Sequence, residues 1–127
     1  MTDYEVKYEN TTVAIPTQGS VPVTFISGWI MMMHRYVPSG FNWNQTWDDY
    51  RDGFGDIHTE DFWLGLERVH LLTTSGNYRL RLKWQANATN YWFSTEYWSF
   101  YIDDEAGLYQ LHVSGHVDGD DGRALCV

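Results

Sequence analysis

Few side chains in this 127-residue chain could do chemistry: five histidines, one cysteine, seventeen carboxylates and three Asn-x-Thr triplets. Nucleophilic catalysis needs a serine or cysteine activated by a positioned base. No Gly-x-Ser-x-Gly elbow is present, and Cys126 lies one residue from the end. Metal chemistry needs ligands at close, regular spacing, as in His-Glu-x-x-His, and His70, His112 and His116 are too scattered to read as such a set. His70, on a helical stretch, reads as a satisfied, partly buried histidine. Asp118-Gly119-Asp120-Asp121-Gly122 has the composition of a calcium loop without the spaced donors or closing bidentate Glu of an EF-hand, so it reads as a solvated acidic turn. With no phosphate loop either, no catalytic residue, no metal ligand and no cofactor is expected.

The triplets Asn10-Thr11-Thr12, Asn44-Gln45-Thr46 and Asn87-Ala88-Thr89 are glycan acceptors if the chain follows a secretory route. A lone cysteine argues for a reducing compartment or for a core that needs no staple. Cys126 therefore either cross-links two chains as an intermolecular disulfide or is inert. Composition of 43% hydrophobic and 17% aromatic residues describes a folded globular chain, read as one domain over 1–127. A net charge of −9 repels phosphate backbones and anionic lipid, which speaks against nucleic acid and membrane surfaces as partners. No apolar run reaches a membrane span, and Met1 to Glu5 lacks the basic and apolar regions of a signal peptide.

The elements that must position these groups are clearest from Thr46 to Thr73. Thr46 reads as an N-cap, with Asp48 and Asp49 at the positive end of a helix that Gly53 stops. The same device at Thr59, Glu60 and Asp61 predicts a second helix over 60–72, on which Phe62, Leu66, Val69 and Leu72 follow helical spacing. Before it, residues 4 to 16 alternate as strand, Thr17 to Ser20 turn, and Val21 to Ile26 is a short strand with Pro22 suited to an edge. Trp29 to Met33, apolar on both alternating sets, reads as a central strand covered on two faces, its three methionines being core filling. After a turn at Thr74 to Asn77, Tyr78, Leu80, Leu82 and Trp84 face one way, with Arg79, Arg81 and Lys83 on a wet face opposite acidic neighbours such as Glu96. Tyr91 to Ile102 is a long return strand, Asp103 to Gly107 a turn, and Leu108 to Ser114 the last strand.

Six blocks in this order resemble the fibrinogen C-terminal, or fibrinogen-related, domain. They are Gly28-Trp29 with the strand ending His34-Arg35; the Trp47 and Tyr50 pair with Gly53-Phe54-Gly55-Asp56; Phe62-Trp63-Leu64-Gly65 with Val69-His70-Leu71-Leu72-Thr73; Tyr78 to Leu82; Glu96 to Phe100; and Tyr109 to Gly115. Residues 28–125 are thus family-like and 1–27 are divergent N-terminal strands. The resemblance implies an α+β fold: a twisted, mainly antiparallel central sheet of Val13–Ile15, Trp29–Met33, Tyr78–Trp84, Tyr91–Ile102 and Leu108–Ser114, covered by helices near 46–52 and 60–72. It departs from the family in having no cysteine before Trp29. The family's calcium site and ligand pocket lie in a loop-rich subdomain after a segment matched loosely by Asp121 to Leu125, so the resemblance carries none of those residues across. Residues 4–16 are similar to the family's last sheet strand and are expected, as a circular permutation, to fill that place beside Trp29–Met33, within the chain or in a sister molecule.

Function follows as an expectation of the resemblance: a non-catalytic extracellular recognition or adhesion module, secreted, of the lectin type seen in innate immunity, taking a glycan or protein ligand. The alternative is a structural subunit forming a homo-oligomer through an exchanged strand or exposed aromatic surface. Trp43, Trp84, Trp92 and Trp98 sit where the family motif does not call for tryptophan, and they either fill the core or present a platform. Trp92 and Trp98, on one side of one strand, are the candidates for ligand binding.

Overall fold

In the computed structural model, which describes residues 8–56, 58, 61–86 and 91–117, the chain divides into two units, Met1–Ser75 and Gly76–Val127. The first unit starts with β1 (Tyr8–Ile15) and β2 (Gly19–Ile26), antiparallel in a register running from Tyr8↔Ile26 to Ile15↔Gly19. Alternation decides which side is dry. Ile15, Val21 and Val23 are buried, while Asn10, Thr12, Ser20 and Pro22 on the other face are exposed. Ser27 and Gly28, both at positive φ, make the two-residue turn that returns the chain into β3 (Trp29–Ile30), a conformation that matches the right-handed twist of the strands it joins. Pro22 lies in the middle strand of the order β1-β2-β3, yet β3 pairs only with Phe25 and Ile26, so β2 is locally an edge where the proline sits.

A second sheet has the order β4-β6-β5, from β4 (Met33–His34), β5 (Phe54–Gly55) and β6 (Phe62–Trp63). Between β4 and β5 lies α1 (Trp47–Asp52), whose N-terminus is closed by a full capping box: Thr46 Oγ1 accepts from the Asp49 amide, and the Asp49 carboxylate accepts from the Thr46 amide. Two glycines then allow main chain to touch main chain. A Cβ on Gly53 (φ 99°) would lie 2.5 Å from the Leu64 carbonyl oxygen, and one on Gly65 (φ 111°) 2.8 Å from the Asp52 carbonyl carbon. The family-like Gly-Phe-Gly and Trp-Leu-Gly blocks are the two sides of this one contact. Helix α2 (Leu66–Thr74) follows, contacts α1, β1 and β2, and buries Val69, Leu72 and Thr73.

In the second unit, β7 (Leu80–Gln85), β8 (Trp92–Ile102) and β9 (Leu111–Val117) form an antiparallel sheet in that order. β8 changes the face it buries part-way along. Thr95 and Tyr97 are buried on one parity, Phe100 and Ile102 on the other, and the change falls at Trp98, opposite Gly115 at φ 72°.

The α+β arrangement of antiparallel sheets with two helices stands, and the first helix lies where Thr46 places it. Five expectations are corrected. Among the described residues the strands form three sheets of three rather than one central sheet, because the Trp29–Met33 run splits at Met31 and Met32 between the first and second sheets. That run is not covered on two faces either, since Met33 is 42% exposed. The second helix starts at Leu66 rather than 60: Phe62 and Trp63 are extended and pair with Met33–His34 and Phe54–Gly55, and Gly65 marks the entry to the helix. The last strand starts at Leu111, since Leu108 and Tyr109 have left-handed φ values that continue the turn. The permuted strand is likewise not what forms. Described from Tyr8 onward, β1 is one arm of a local hairpin within its own chain, and β2 separates it from Trp29.

Candidate functional site

One face of β7 and β8 brings the exposed Trp92 and Trp98 together with exposed cationic side chains. Alternation along β7 leaves Leu80, Leu82 and Trp84 half-buried and turns Arg81, Lys83 and Gln85 outward, with Arg79 exposed just before the strand. The register sets Arg81 opposite Glu96 and Gln85 opposite Trp92. Arg79 donates to Glu96 Oε1 at 2.6 Å while its guanidinium carbon lies 4.2 Å from the Trp98 ring centroid. Lys83 Nζ lies 5.5 Å from the Trp92 centroid. These contacts hold the rings at a side, each worth about 0.5–1 kcal/mol at an exposed site. Trp92 and Trp98 stay 56% and 59% exposed, and Gly115 offers Trp98 a flank without a side chain, where a Cβ would stand 2.9 Å from that of Trp98. The face can stack on the apolar side of a ligand ring and offer hydrogen bonds from Arg79 and to Glu96.

The other two tryptophans singled out in the sequence serve packing. Trp84 is half-buried and stacks on Phe93 at 5.8 Å. Trp43 packs edge-on against Phe54 at 5.0 Å and donates its indole N–H to Asp61 at 3.0 Å. Asp61, 4% exposed, also accepts from the Tyr36 amide at 3.2 Å and from the Ser39 hydroxyl. Burial pushes this carboxyl up, but the bonds from Ser39, Trp43 and Tyr36, with the charge of His34, outweigh it and hold Asp61 below the ordinary 3.8. Its buried, multiply bonded role goes unread in the sequence, where Asp61 looks like first-turn charge on a helix. The aromatic pair Phe62-Trp63 directly after it is the one available hint.

The histidines do not converge. His70 is half-buried on α2, His112 Nε2 is 3.0 Å from Asp103 Oδ2 and stacks on Tyr101, and His116 Nε2 is 2.6 Å from Thr95 Oγ1. Among the described residues no group of three or more His, Cys, Asp or Glu is placed to hold a metal ion, and no helix is long and apolar enough to cross a membrane. A cleft of about 170 Å³ lined by Glu9, Phe25, Ser27 and Gly28 is small for an organic ligand and brings in a single charged group. Of the glycan acceptors, Asn10 is exposed on β1 and Asn44 exposed before α1, whereas Asn87, like Cys126 and the Asp118 to Gly122 turn, lies outside the described residues.

Residues 23–127 match the family model described as the C-terminal globular domain of fibrinogen beta and gamma chains. The chain belongs to this family. Its relatives include the fibrinogen gamma chain of Petromyzon marinus, 38% identical over 105 residues, and ryncolin-4 of Cerberus rynchops, 38% identical over 98 residues. These matches take in 78% and 77% of this fibrinogen-family chain but 23% and 28% of the relatives' lengths, so the chain spans about a quarter of them. Among solved structures, the fibrinogen-like globe domain of human ANGPTL2 is similar over 91% of this chain and 55% of its own, with a TM-score of 0.78 at 29% identity. The lamprey fibrin D-dimer complexed with the peptide Gly-His-Arg-Pro-amide is similar over 89% of this chain and 37% of its own, with a TM-score of 0.75 at 30% identity.

Proposed function

We propose that this chain is the core of an extracellular, non-catalytic recognition module, and that it takes a glycan, in the manner of a lectin, on the Trp92–Trp98 face. Family membership through 23–127, a span that runs through both units, supports the module and its reading as one domain. The observation that carries the site is the pair of tryptophans, more than half exposed, with Arg79, just before β7, over Trp98 and Lys83 of β7 over Trp92. Stacking on an indole suits the apolar face of a sugar, and the Arg79–Glu96 pair supplies a donor and an acceptor beside it. The test is glycan-array binding by the monomer. We expect Trp98→Ala and Trp92→Ala each to weaken binding by about tenfold with folding unchanged. Equal binding by both variants would remove the face from the reading.

The structural-subunit reading has one observation in its favour, the outer edge of β1, which has no strand beside it among the described residues. Concentration-dependent oligomers without ligand binding would favour it. A protein or peptide ligand for the face, as the lamprey fibrin D-dimer holds a peptide, is the outcome to consider if no glycan binds.

A further inference from the structure

We propose that Asn10 carries an N-linked glycan that guards the open edge of the first sheet. β1 has β2 as its one neighbouring strand among the described residues, so its other flank offers main-chain donors and acceptors along eight residues. Such an edge is a template for a second copy unless something blunts it. The usual devices are missing from Tyr-Glu-Asn-Thr-Thr-Val-Ala-Ile, which holds no Lys and no Pro, has Glu9 as its only charge, and pairs with β2 in one unbroken register. What this strand does hold is an acceptor triplet, Asn10-Thr11-Thr12.

The local geometry suits the modification. Asn10 is exposed on the outward face, opposite Thr24, whose hydroxyl donates to Asn10 Oδ1 at 2.7 Å. That bond uses the amide oxygen, which a glycosylated asparagine keeps as an acceptor, and leaves Nδ2 for the sugar. The donor would be a lipid-diphosphate-linked oligosaccharide. Nδ2 forms a bond to the first sugar's C1, the C1–O bond to the diphosphate breaks, the lipid diphosphate leaves with the electron pair, and the amide gives up one proton. An added strand would lie about 4.8 Å from β1, with facing Cβ atoms about 5 Å apart. A sugar on Asn10 stands above the sheet face beside that lane, where the facing side chains of an added strand would meet it. Asn44 differs: it precedes α1, its triplet's Thr46 caps that helix, and neither residue belongs to a strand.

This inference needs the secretory passage of the proposed function but not its ligand, so a failed glycan-array test leaves it standing. To test it, the full chain is secreted from mammalian cells behind a signal peptide. Occupancy is read by peptide mass spectrometry and self-association by sedimentation. We expect Asn10 to be occupied and the wild-type protein to be monomeric. Thr12→Ala, which removes the acceptor triplet but keeps the Asn10–Thr24 bond, should self-associate at least about tenfold more strongly, whereas Asn44→Gln should not. If Thr12→Ala is not secreted, Asn10→Gln takes its place. An unoccupied Asn10 overturns the inference, as does a glycan-free strand that stays monomeric. Equal association by the Asn44 variant would also overturn it, because the effect would then be general solubility rather than protection of an edge.

Discussion

Asp61 accepts from three donors, on Tyr36, Ser39 and Trp43, that lie 25, 22 and 18 residues upstream. A carboxylate suits this place because it is acceptor-only when ionised, so no proton of its own meets an incoming N–H or O–H. Asn in its place would turn an amide N–H₂ toward one of those donors. Because its folded pKa lies below its unfolded value, Asp61 contributes stability that is fully present above the ordinary 3.8 and is lost as pH falls through the folded value. We therefore expect Asp61→Asn to melt several degrees below the wild-type protein at pH 7, with the gap narrowing below about pH 4. Thermal melts followed by circular dichroism between pH 3 and 7 check this, and a gap that does not change with pH would contradict the role given to the charge. None of this was legible locally. Thr59-Glu60-Asp61 has the form of a helix start, and the donors that claim Asp61 instead come from the 36–43 segment, which no spacing rule ties to it.

Helix α1 shows the opposite case, an element written in its own residues. Thr46, Asp48, Asp49 and Gly53 predict the cap, the first-turn charge and the stop; all three form, and Asp49 adds a capping box by accepting from the Thr46 amide. Thr46→Ala should lower stability by about 1 kcal/mol in denaturant unfolding. Asn44→Gln, which abolishes the same acceptor triplet, should leave stability nearly unchanged in unglycosylated protein; equal losses would mean that the cap contributes nothing. Where elements depend on distant partners, local pattern gave the wrong answer. Phe62 has helical spacing with Leu66 and Val69, yet its backbone is claimed by β4 and β5, and Gly65 is needed for the approach to Asp52, so the helix starts later. Leu108 fits the alternation of the last strand but sits at φ 58° in the turn. On β7 alternation was enough, since Arg79, Arg81 and Lys83 face outward and Arg79 meets Glu96 as expected.

For the molecule as a whole, the order of six blocks was legible, and two of them supply the two sides of one close contact, at Gly53 and Gly65. The order in which strands join was less legible. Residues 4–16 resemble a strand that completes a sheet, and from Tyr8 onward they do so, but as a hairpin partner of β2, because a short turn at 16–18 closes more easily than a long connection. The candidate face draws on both kinds of information: exposure follows from alternation on β7 and β8, while the seating of Trp98 needs Gly115 from β9. The most direct measurement is a titration of the isotopically labelled protein with array-selected glycans, followed by the indole N–H signals of its seven tryptophans. The expected result is that Trp92 and Trp98 shift with ligand while Trp43 and Trp63, whose indole N–H groups are bonded to Asp61 and to the Tyr50 carbonyl, stay in place. Ligand-dependent shifts at Trp43 or Trp63 with none at Trp92 and Trp98 would contradict the account.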